Sequence, residues 1–320
     1  MRGRYRAGGS RRKIKTLIKT FMLLAISLLM LFLVCTAISL SKISHIIGKK
    51  GLISDYTLTM SNHEVVSDEG KPAIWFEPAI AEETAVYTDE GFRLSALVYR
   101  RDEDKWAVLV HGYSTGKEYM QEYARKYYEK GYSILMPDLR AHGDSQGNIV
   151  GMGWLDRMDI LKWTDLILAE NPEADIVLHG ISMGASAVMM ASGERLPENV
   201  SAIIADCGYT TVWDILEYQL KRLYDFPVFP LLHGGNIWSV RKLGYSWKDA
   251  SAVKMVKASR TPILFVHGSR DDVVPVDMAF ELYMAAECDK RLLIIEGAGH
   301  AMSASWEPER YWNEIFDFIR

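Results

Sequence analysis

From residue 84 onward the chain alternates short, nearly unbroken apolar runs with longer stretches of helical period. Residues 84–88 and 92–99 are two strand-like runs joined by Asp89-Glu90-Gly91, a hairpin signal. They are expected to form the antiparallel edge of a mixed sheet. Trp106-Ala107-Val108-Leu109-Val110, Tyr132-Ser133-Ile134-Leu135-Met136, Ile176-Val177-Leu178, Val200-Ser201-Ala202-Ile203-Ile204-Ala205, Pro262-Ile263-Leu264-Phe265-Val266 and Leu292-Leu293-Ile294-Ile295 follow. Apolar side chains on successive positions suit strands covered on both faces. Between them lie helical stretches at about 118–130, stopping at Gly131, at 155–170, and in the small-residue run that begins at Ala185. At 307–319 the spacing of Trp312, Ile315, Phe316 and Ile319 gives a closing helix one apolar face. This alternation predicts an α/β fold, a mostly parallel central sheet with helices on both faces.

The first 83 residues follow a different pattern. Eight Arg and Lys and no acid occupy residues 2–19, and residues 21–40 are uncharged and largely apolar. About twenty such residues cross a hydrocarbon core of ~30 Å as a helix. The expected layout is a basic cytoplasmic tail at 1–20, a transmembrane anchor at 21–41, a stalk and lead-in at 42–83, and the folded domain at 84–320. The basic flank stays in the cytoplasm, which places that domain outside it, on the cell membrane. A cleaved signal peptide has a similar layout, but its apolar region is usually ~7 to 15 residues long. Ala37-Ile38-Ser39 is only a fair cleavage site, and Val34 before Cys35 is bulkier than a lipoprotein signal favours. Trp75 and Phe76 are candidates to dock the lead-in onto the domain.

Residues 209–257 interrupt the alternation with large apolar groups, among them Trp213, Tyr218, Tyr224, Phe229, Trp238, Tyr245 and Trp247. Pro227, Pro230, Gly234 and Gly235 break this stretch into short pieces. It reads as a helical cap insertion over a site. Most of its aromatic residues must form the cap's own core, and a few face a ligand.

Composition excludes several functions. The formal net charge is −4, which argues against nucleic acid as a partner. Cys35, Cys207 and Cys288 lie far apart with no C-x-x-C, so no essential disulfide is expected, although Cys207 and Cys288 can pair if the fold joins them. The eight histidines show no H-E-x-x-H spacing, so no metal is implied.

The chemistry concentrates at Gly180-Ile181-Ser182-Met183-Gly184, lodged between the strand at 176–178 and the small-residue helix. A G-x-S-x-G in that setting reads as a nucleophile elbow, a turn too sharp for side chains beside the serine. A serine hydroxyl needs a base to take its proton and a carboxylate to orient that base, in the chain order Ser, Asp, His. Two later strand ends supply them. The strand at 262–266 runs into His267-Gly268-Ser269-Arg270-Asp271-Asp272, and the strand at 292–295 into Glu296-Gly297-Ala298-Gly299-His300. Strand carboxyl ends are where open parallel sheets gather functional groups.

On these motifs residues 84–320 resemble an α/β-hydrolase, in particular membrane-anchored bacterial serine hydrolases of the esterase and peptidase branch with a helical insertion before the acid. The resemblance implies Ser182 as nucleophile, Asp271 as the acid in His-Gly-x-x-Asp, and His300 as the base in Gly-x-Gly-His. It also implies an oxyanion hole from the amides of Tyr113, in the loop His111-Gly112-Tyr113-Ser114, and Met183. Some relatives carry the acid one strand earlier, which makes Asp206 a competitor; the intact His-Gly-x-x-Asp favours Asp271, and Asp272 is a lesser rival. Asp138-Leu139-Arg140-Ala141-His142-Gly143-Asp144-Ser145 resembles the family's D-x-R-G-H-G-x-S loop with Ala141 in place of glycine. Asp138, Arg140 and His142 are expected to form a structural hydrogen-bonding set, and His111, His179 and His267 to fix loops.

The expected activity is hydrolysis of an ester, thioester or amide through an acyl-enzyme, carboxylic ester hydrolysis foremost, on a small-molecule or lipid-like acyl substrate. No cofactor is implied. A prolyl-oligopeptidase-like peptidase and a non-catalytic binding protein on the same fold are the alternatives.

Overall fold

The computed structural model describes residues 81–101, 104–225 and 227–319, with Met22 and Ser27 in addition. The expected anchor at 21–41 and the docking of Trp75 and Phe76 therefore fall outside the described residues. No helix among the described residues is long and apolar enough to cross a membrane.

Eight strands form one sheet: β1 (Glu82–Tyr87), β2 (Arg93–Tyr99), β3 (Lys105–Val110), β4 (Ser133–Pro137), β5 (Asp175–Ile181), β6 (Val200–Asp206), β7 (Ile263–Gly268) and β8 (Lys290–Ile295). Their spatial order is β1-β2-β4-β3-β5-β6-β7-β8. The β1–β2 hairpin is antiparallel, turning at Gly91 with φ +86°, and β2 pairs antiparallel with β4. The pairs from β4 through β8 are parallel. The chain thus has the mostly parallel α/β sheet expected from its pattern, with the antiparallel edge that the hairpin signal predicts.

The helices are α1 (Gln121–Glu129), α2 (Asp156–Glu170), α3 (Met183–Ala191), α4 (Val212–Tyr224), α5 (Leu231–Leu243), α6 (Ala252–Ala258), α7 (Val276–Ala285), α8 (Ser303–Trp306) and α9 (Pro308–Phe318). Because successive strand side chains point to opposite faces, the unbroken apolar runs feed two cores. Trp106, Val108 and Val110 of β3 join one core with Trp163 of α2, the small residues of α3, and Met278 and Leu282 of α7. Ala107 and Leu109 join the other, with Tyr123 and Tyr127 of α1 and Tyr311 and Ile315 of α9. Helices therefore cover both faces.

Two boundaries differ from the sequence pattern for local reasons. The helix expected at 118–130 begins as a 3-10 turn at Lys117–Met120, where the amide of Lys117 donates to Asp138 Oδ1 at 2.8 Å, before α1 continues to Gly131 at φ +96°. The closing helix falls where it was expected, as α9 starting at Pro308, with α8 a separate short turn before it. The insertion expected at 209–257 is narrower as a cap. Its two ends are joined by a bridge between Thr211 and Ser251, and the amides of Val212 and Trp213 donate to the carbonyls of Ala250 and Trp247. Past that closure α6 packs against α3 and α7, as the crossover helix returning the chain to β7, so only α4 and α5 stand outside the three-layer body.

Candidate active site

β5 ends at Ile181, α3 begins at Met183, and Ser182 between them has φ +56° and ψ −116°. A non-glycine residue in that region is strained and persists only where its surroundings over-determine it. The surroundings here are backbone. A Cβ on Gly184 would fall onto the carbonyl oxygens of Val110 and His111, and one on Gly180 onto the carbonyl of Gly184. Both glycines of the motif are therefore demanded by close approach, and together they hold the serine in its turn. Its own amide donates to the carbonyl of Asp206 at 2.8 Å.

His300, in the loop after β8, brings Nε2 to 2.9 Å from Ser182 Oγ and Nδ1 to 2.7 Å from Asp271 Oδ2. The arrangement fits a neutral imidazole that donates from Nδ1 to the carboxylate and accepts at Nε2 from the serine hydroxyl. Asp271 lies after β7, and its Oδ1 accepts from the amides of Val273 and Val274 at 2.9 and 2.8 Å. Burial alone would raise this carboxyl, but the imidazoles of His267 and His300 outweigh it and hold Asp271 well below the usual carboxylate range. The three residues expected to act together are thus in one hydrogen-bonded line.

The rivals are placed elsewhere. The Asp206 carboxylate bonds to other groups, accepting from Tyr311 Oη at 2.9 Å and, at 3.4 Å, from Ser303 Oγ. The Asp272 side chain is largely exposed and pairs with Arg222.

Tyr113 follows Gly112, whose backbone comes so near that a Cβ there would touch Ser182 Cβ at 3.4 Å, and Met183 follows the serine directly. The 111–115 loop is clamped by the two histidines that the sequence pattern marks as structural. His111 Nε2 accepts from the amide of Leu139 at 3.0 Å, while its Nδ1 lies 2.7 Å from the carbonyl of Gly112. Burial and the neighbouring His142 push His111 down to about 3, so it is neutral. His142 Nε2 accepts from the amide of Ser114 at 3.2 Å. Beneath them Asp138 takes the Lys117 ammonium at 2.6 Å, and Arg140 forms a two-pronged bond to Asp159, 2.7 Å on each side. The Asp138, Arg140 and His142 set is structural as expected, and what it supports is the loop carrying Tyr113.

Two contributions go beyond the loop-fixing expected of His267 and His179. His267 Nε2 lies 2.8 Å from the Val274 carbonyl and 3.2 Å from Asp271 Oδ2, so two imidazoles share one carboxylate. Its position four residues before Asp271 was an available signal. The second is a buried line in which Tyr127 Oη and Tyr311 Oη each lie 3.1 Å from a ring nitrogen of His179, and Tyr311 goes on to Asp206. Burial lowers His179 to about 3, so the ring is neutral and relays hydrogen bonds from Tyr127 through Tyr311 to Asp206. No local motif announces a chain whose links are 52, 132 and 105 residues apart.

Cys207 Sγ, a carboxylate oxygen of Asp271 and a ring nitrogen of His300 lie within 4.8 Å of one another. The set fits a cation poorly, since Asp271 and His300 already bond each other and burial pushes the Cys207 thiol well above its usual range, keeping it protonated. Cys207 and Cys288 are both free.

Comparison with known proteins agrees with the fold. The profile of the Alpha/beta hydrolase family matches residues 107–314. The Bacillus subtilis protein YqkD is 26% identical over 219 residues, 68% of this chain and 72% of its own length. Among solved structures, the Pyrococcus furiosus esterase Pf2001 superposes with a TM-score of 0.62 at 20% identity, over 75% of this chain and 91% of its own. The Pyrococcus horikoshii acylaminoacyl peptidase gives 0.56 at 20% identity, over 75% of this chain and 42% of its own. At that identity the two structures share the fold.

Proposed function

The chain belongs to the alpha/beta hydrolase family, and from that premise we propose that it is a serine hydrolase, cleaving an ester, thioester or amide through an acyl-enzyme. The observation that carries this reading is the line from Ser182 Oγ to His300 Nε2 at 2.9 Å and from His300 Nδ1 to Asp271 Oδ2 at 2.7 Å, with the serine on a strained turn. As Ser182 Oγ bonds to the substrate carbonyl carbon, its proton passes to His300 Nε2. Asp271 stabilises the imidazolium and fixes its orientation. The oxygen of the tetrahedral intermediate is held by the amides of Tyr113 and Met183. Collapse breaks the bond to the leaving group, which takes the proton from His300. Water, deprotonated by the same nitrogen, then releases the acid.

Carboxylic esters are the proposed substrate class, with a lipid-like or small acyl group. The domain is proposed to sit outside the cytoplasm, tethered to the cell membrane through residues 21–41; what supports this is the acid-free basic flank followed by an uncharged run long enough to span.

A fluorophosphonate probe should label the wild-type chain and leave Ser182→Ala unlabelled. Failure to label the folded wild type would favour a binding protein on this fold. A panel of acyl esters and peptide substrates then separates esterase from peptidase.

A further inference from the structure

Large apolar side chains left in water are informative when they cluster. In this domain the cluster lies on the α4–α5 hairpin. Leu223 and Tyr224 at the end of α4, Phe229 in the connection, and Ile237 and Val240 on α5 are each between 43 and 63% exposed. On α5 the exposed positions His233, Ile237, Val240 and Arg241 recur at helical spacing, so they form one outward stripe, and the Phe229 ring packs against His233 with centroids 5.5 Å apart. The opposite side of α5 is committed to the protein through buried Leu232, Gly235 and Ser239.

Charge says what this stripe faces. Residues 226–248 contain no Asp or Glu, in a chain that has 41 of them, yet they include Arg241, Lys242 and Lys248. Arg241 and Lys242 are exposed in the last turn of α5, directly beside Val240, and no ion pair engages either among the described residues. Exposed Asp225 and Asp249 lie just outside the two ends of this stretch, but along α5 itself the exposed Ile237 and Val240 are bordered by cations and by no acid, which matches the headgroup boundary of an anionic bilayer.

We propose that the outward face of α4–α5 docks onto the anionic surface of the lipid bilayer to which the chain is tethered. The inference rests on the membrane-tether reading for the source of the bilayer. Reach permits it. Residue 82 starts β1 at the edge of the sheet opposite the carboxyl ends from which α4 departs, but a chain the length of residues 42–81 can span at most about 140 Å. A domain of this size has a radius of gyration near ~18 Å. Docking in this sense turns the carboxyl edge of the sheet, where Ser182 lies, towards the lipid.

The test uses the full chain with Cys35→Ser and Cys288→Ser, Cys207 being buried, in nanodiscs of phosphatidylcholine with and without phosphatidylglycerol. A bimane label is placed through Ile237→Cys or, as control, Met284→Cys, which is exposed near the end of α7 at the opposite edge. Doxyl-lipid quenching should be several-fold stronger at position 237 than at 284 when anionic lipid is present. Adding Arg241→Glu and Lys242→Glu should reduce the docked fraction relative to free by roughly fivefold for each cation removed. Equal quenching at the two positions, or none at 237, overturns the proposal. Protection at 237 that depends on protein concentration without lipid also overturns it, assigning the face to a second copy. A chain that does not enter the nanodisc defeats the tether reading separately. Vesicles are then added to the soluble chain, and quenching at 237 retains the docking surface while its absence removes it.

Discussion

The amide of Ser182 donates to the carbonyl of Asp206 across 2.8 Å, so the candidate nucleophile and its rejected rival acid are bonded through their backbones. The Asp206 carboxylate then holds Tyr311 and lies 3.4 Å from Ser303 Oγ, three residues beyond His300. Asp206 thereby ties the serine turn to the segment that carries the base, without contacting the base's ring nitrogens.

That placement separates two aspartates that look equivalent in sequence. Ser182→Ala or His300→Ala should lower kcat by up to roughly 10⁶-fold while the melting temperature stays near wild type. Asp271→Asn should cost about 10⁴-fold by favouring the wrong tautomer of His300. Asp206→Asn should cost far less, acting only through position. A crippled Asp206→Asn beside a mildly affected Asp271→Asn would reverse the assignment of the acid.

The same aspartate should leave a mark on stability against pH. Burial pushes the Asp206 carboxyl up to about 6, against the opposing hydrogen bond from Tyr311, whereas an unfolded aspartate titrates near ~3.9. A folded value above the unfolded one means that the fold favours the protonated form. The associated stability is fully present below about pH 3.9 and is lost as the pH rises through about 6. Asp206→Asn removes this titration, so between about pH 4 and about pH 7 its unfolding free energy should gain on wild type by up to roughly 3 kcal/mol. Denaturant titrations of both proteins across that window provide the check, and a constant difference would refute the raised value.

Aromatic residues of the insertion should divide by burial. Trp213 is buried, donates from Nε1 to Glu217 at 2.8 Å, and carries the Lys248 ammonium 4.3 Å above its ring. Trp213→Ala should therefore cost about 3 to 5 kcal/mol. Phe229 is 63% exposed, and Phe229→Ala should stay within about 0.5 kcal/mol of wild type. Chemical denaturation measures both; comparable losses would mean that Phe229 is covered in the native state.

Ala141 stands at φ +64°, in the left-handed region where a Cβ crowds the following carbonyl. The loop it belongs to resembles one that usually has glycine there, and the geometry gives the reason. Relief of ~1 to 2 kcal/mol is partly offset by the greater freedom of glycine in the unfolded chain. Ala141→Gly should stabilise the domain by up to about 1 kcal/mol, read as a small rise in Tm. A drop would show that the methyl's packing outweighs the strain.

The three groups of the candidate site were legible because each follows an apolar run, and a run buried on both faces fixes where a strand ends. Ser182 was legible further because both glycines beside it answer to backbone contacts that any such turn imposes. The choice of Asp271 over Asp206 rested on a short motif and needed three dimensions to be argued physically, since what separates them is which carboxylate meets Nδ1 of His300. The end of the insertion was not legible because nothing in the sequence separates α6 from the helices before it; its packing on α3 and α7 sets it against the body. The relay through His179 and the sharing of Asp271 by His267 depend on side chains meeting across the sheet or within a loop, which no periodicity encodes.

Tyr218 of α4 donates to the carbonyl of Asp272, Gln219 to that of Val273, and Arg222 pairs with the Asp272 carboxylate. These contacts fall on Asp272 and Val273, the two residues immediately after Asp271, and Val273 also donates its amide to the Asp271 carboxylate. The insertion is therefore not a module that can be exchanged at will. Transplanting α4 and α5 from another hydrolase to redirect selectivity would also remove the scaffolding of the acid, and a successful chimera would have to carry over positions 218, 219 and 222 with the residues present here.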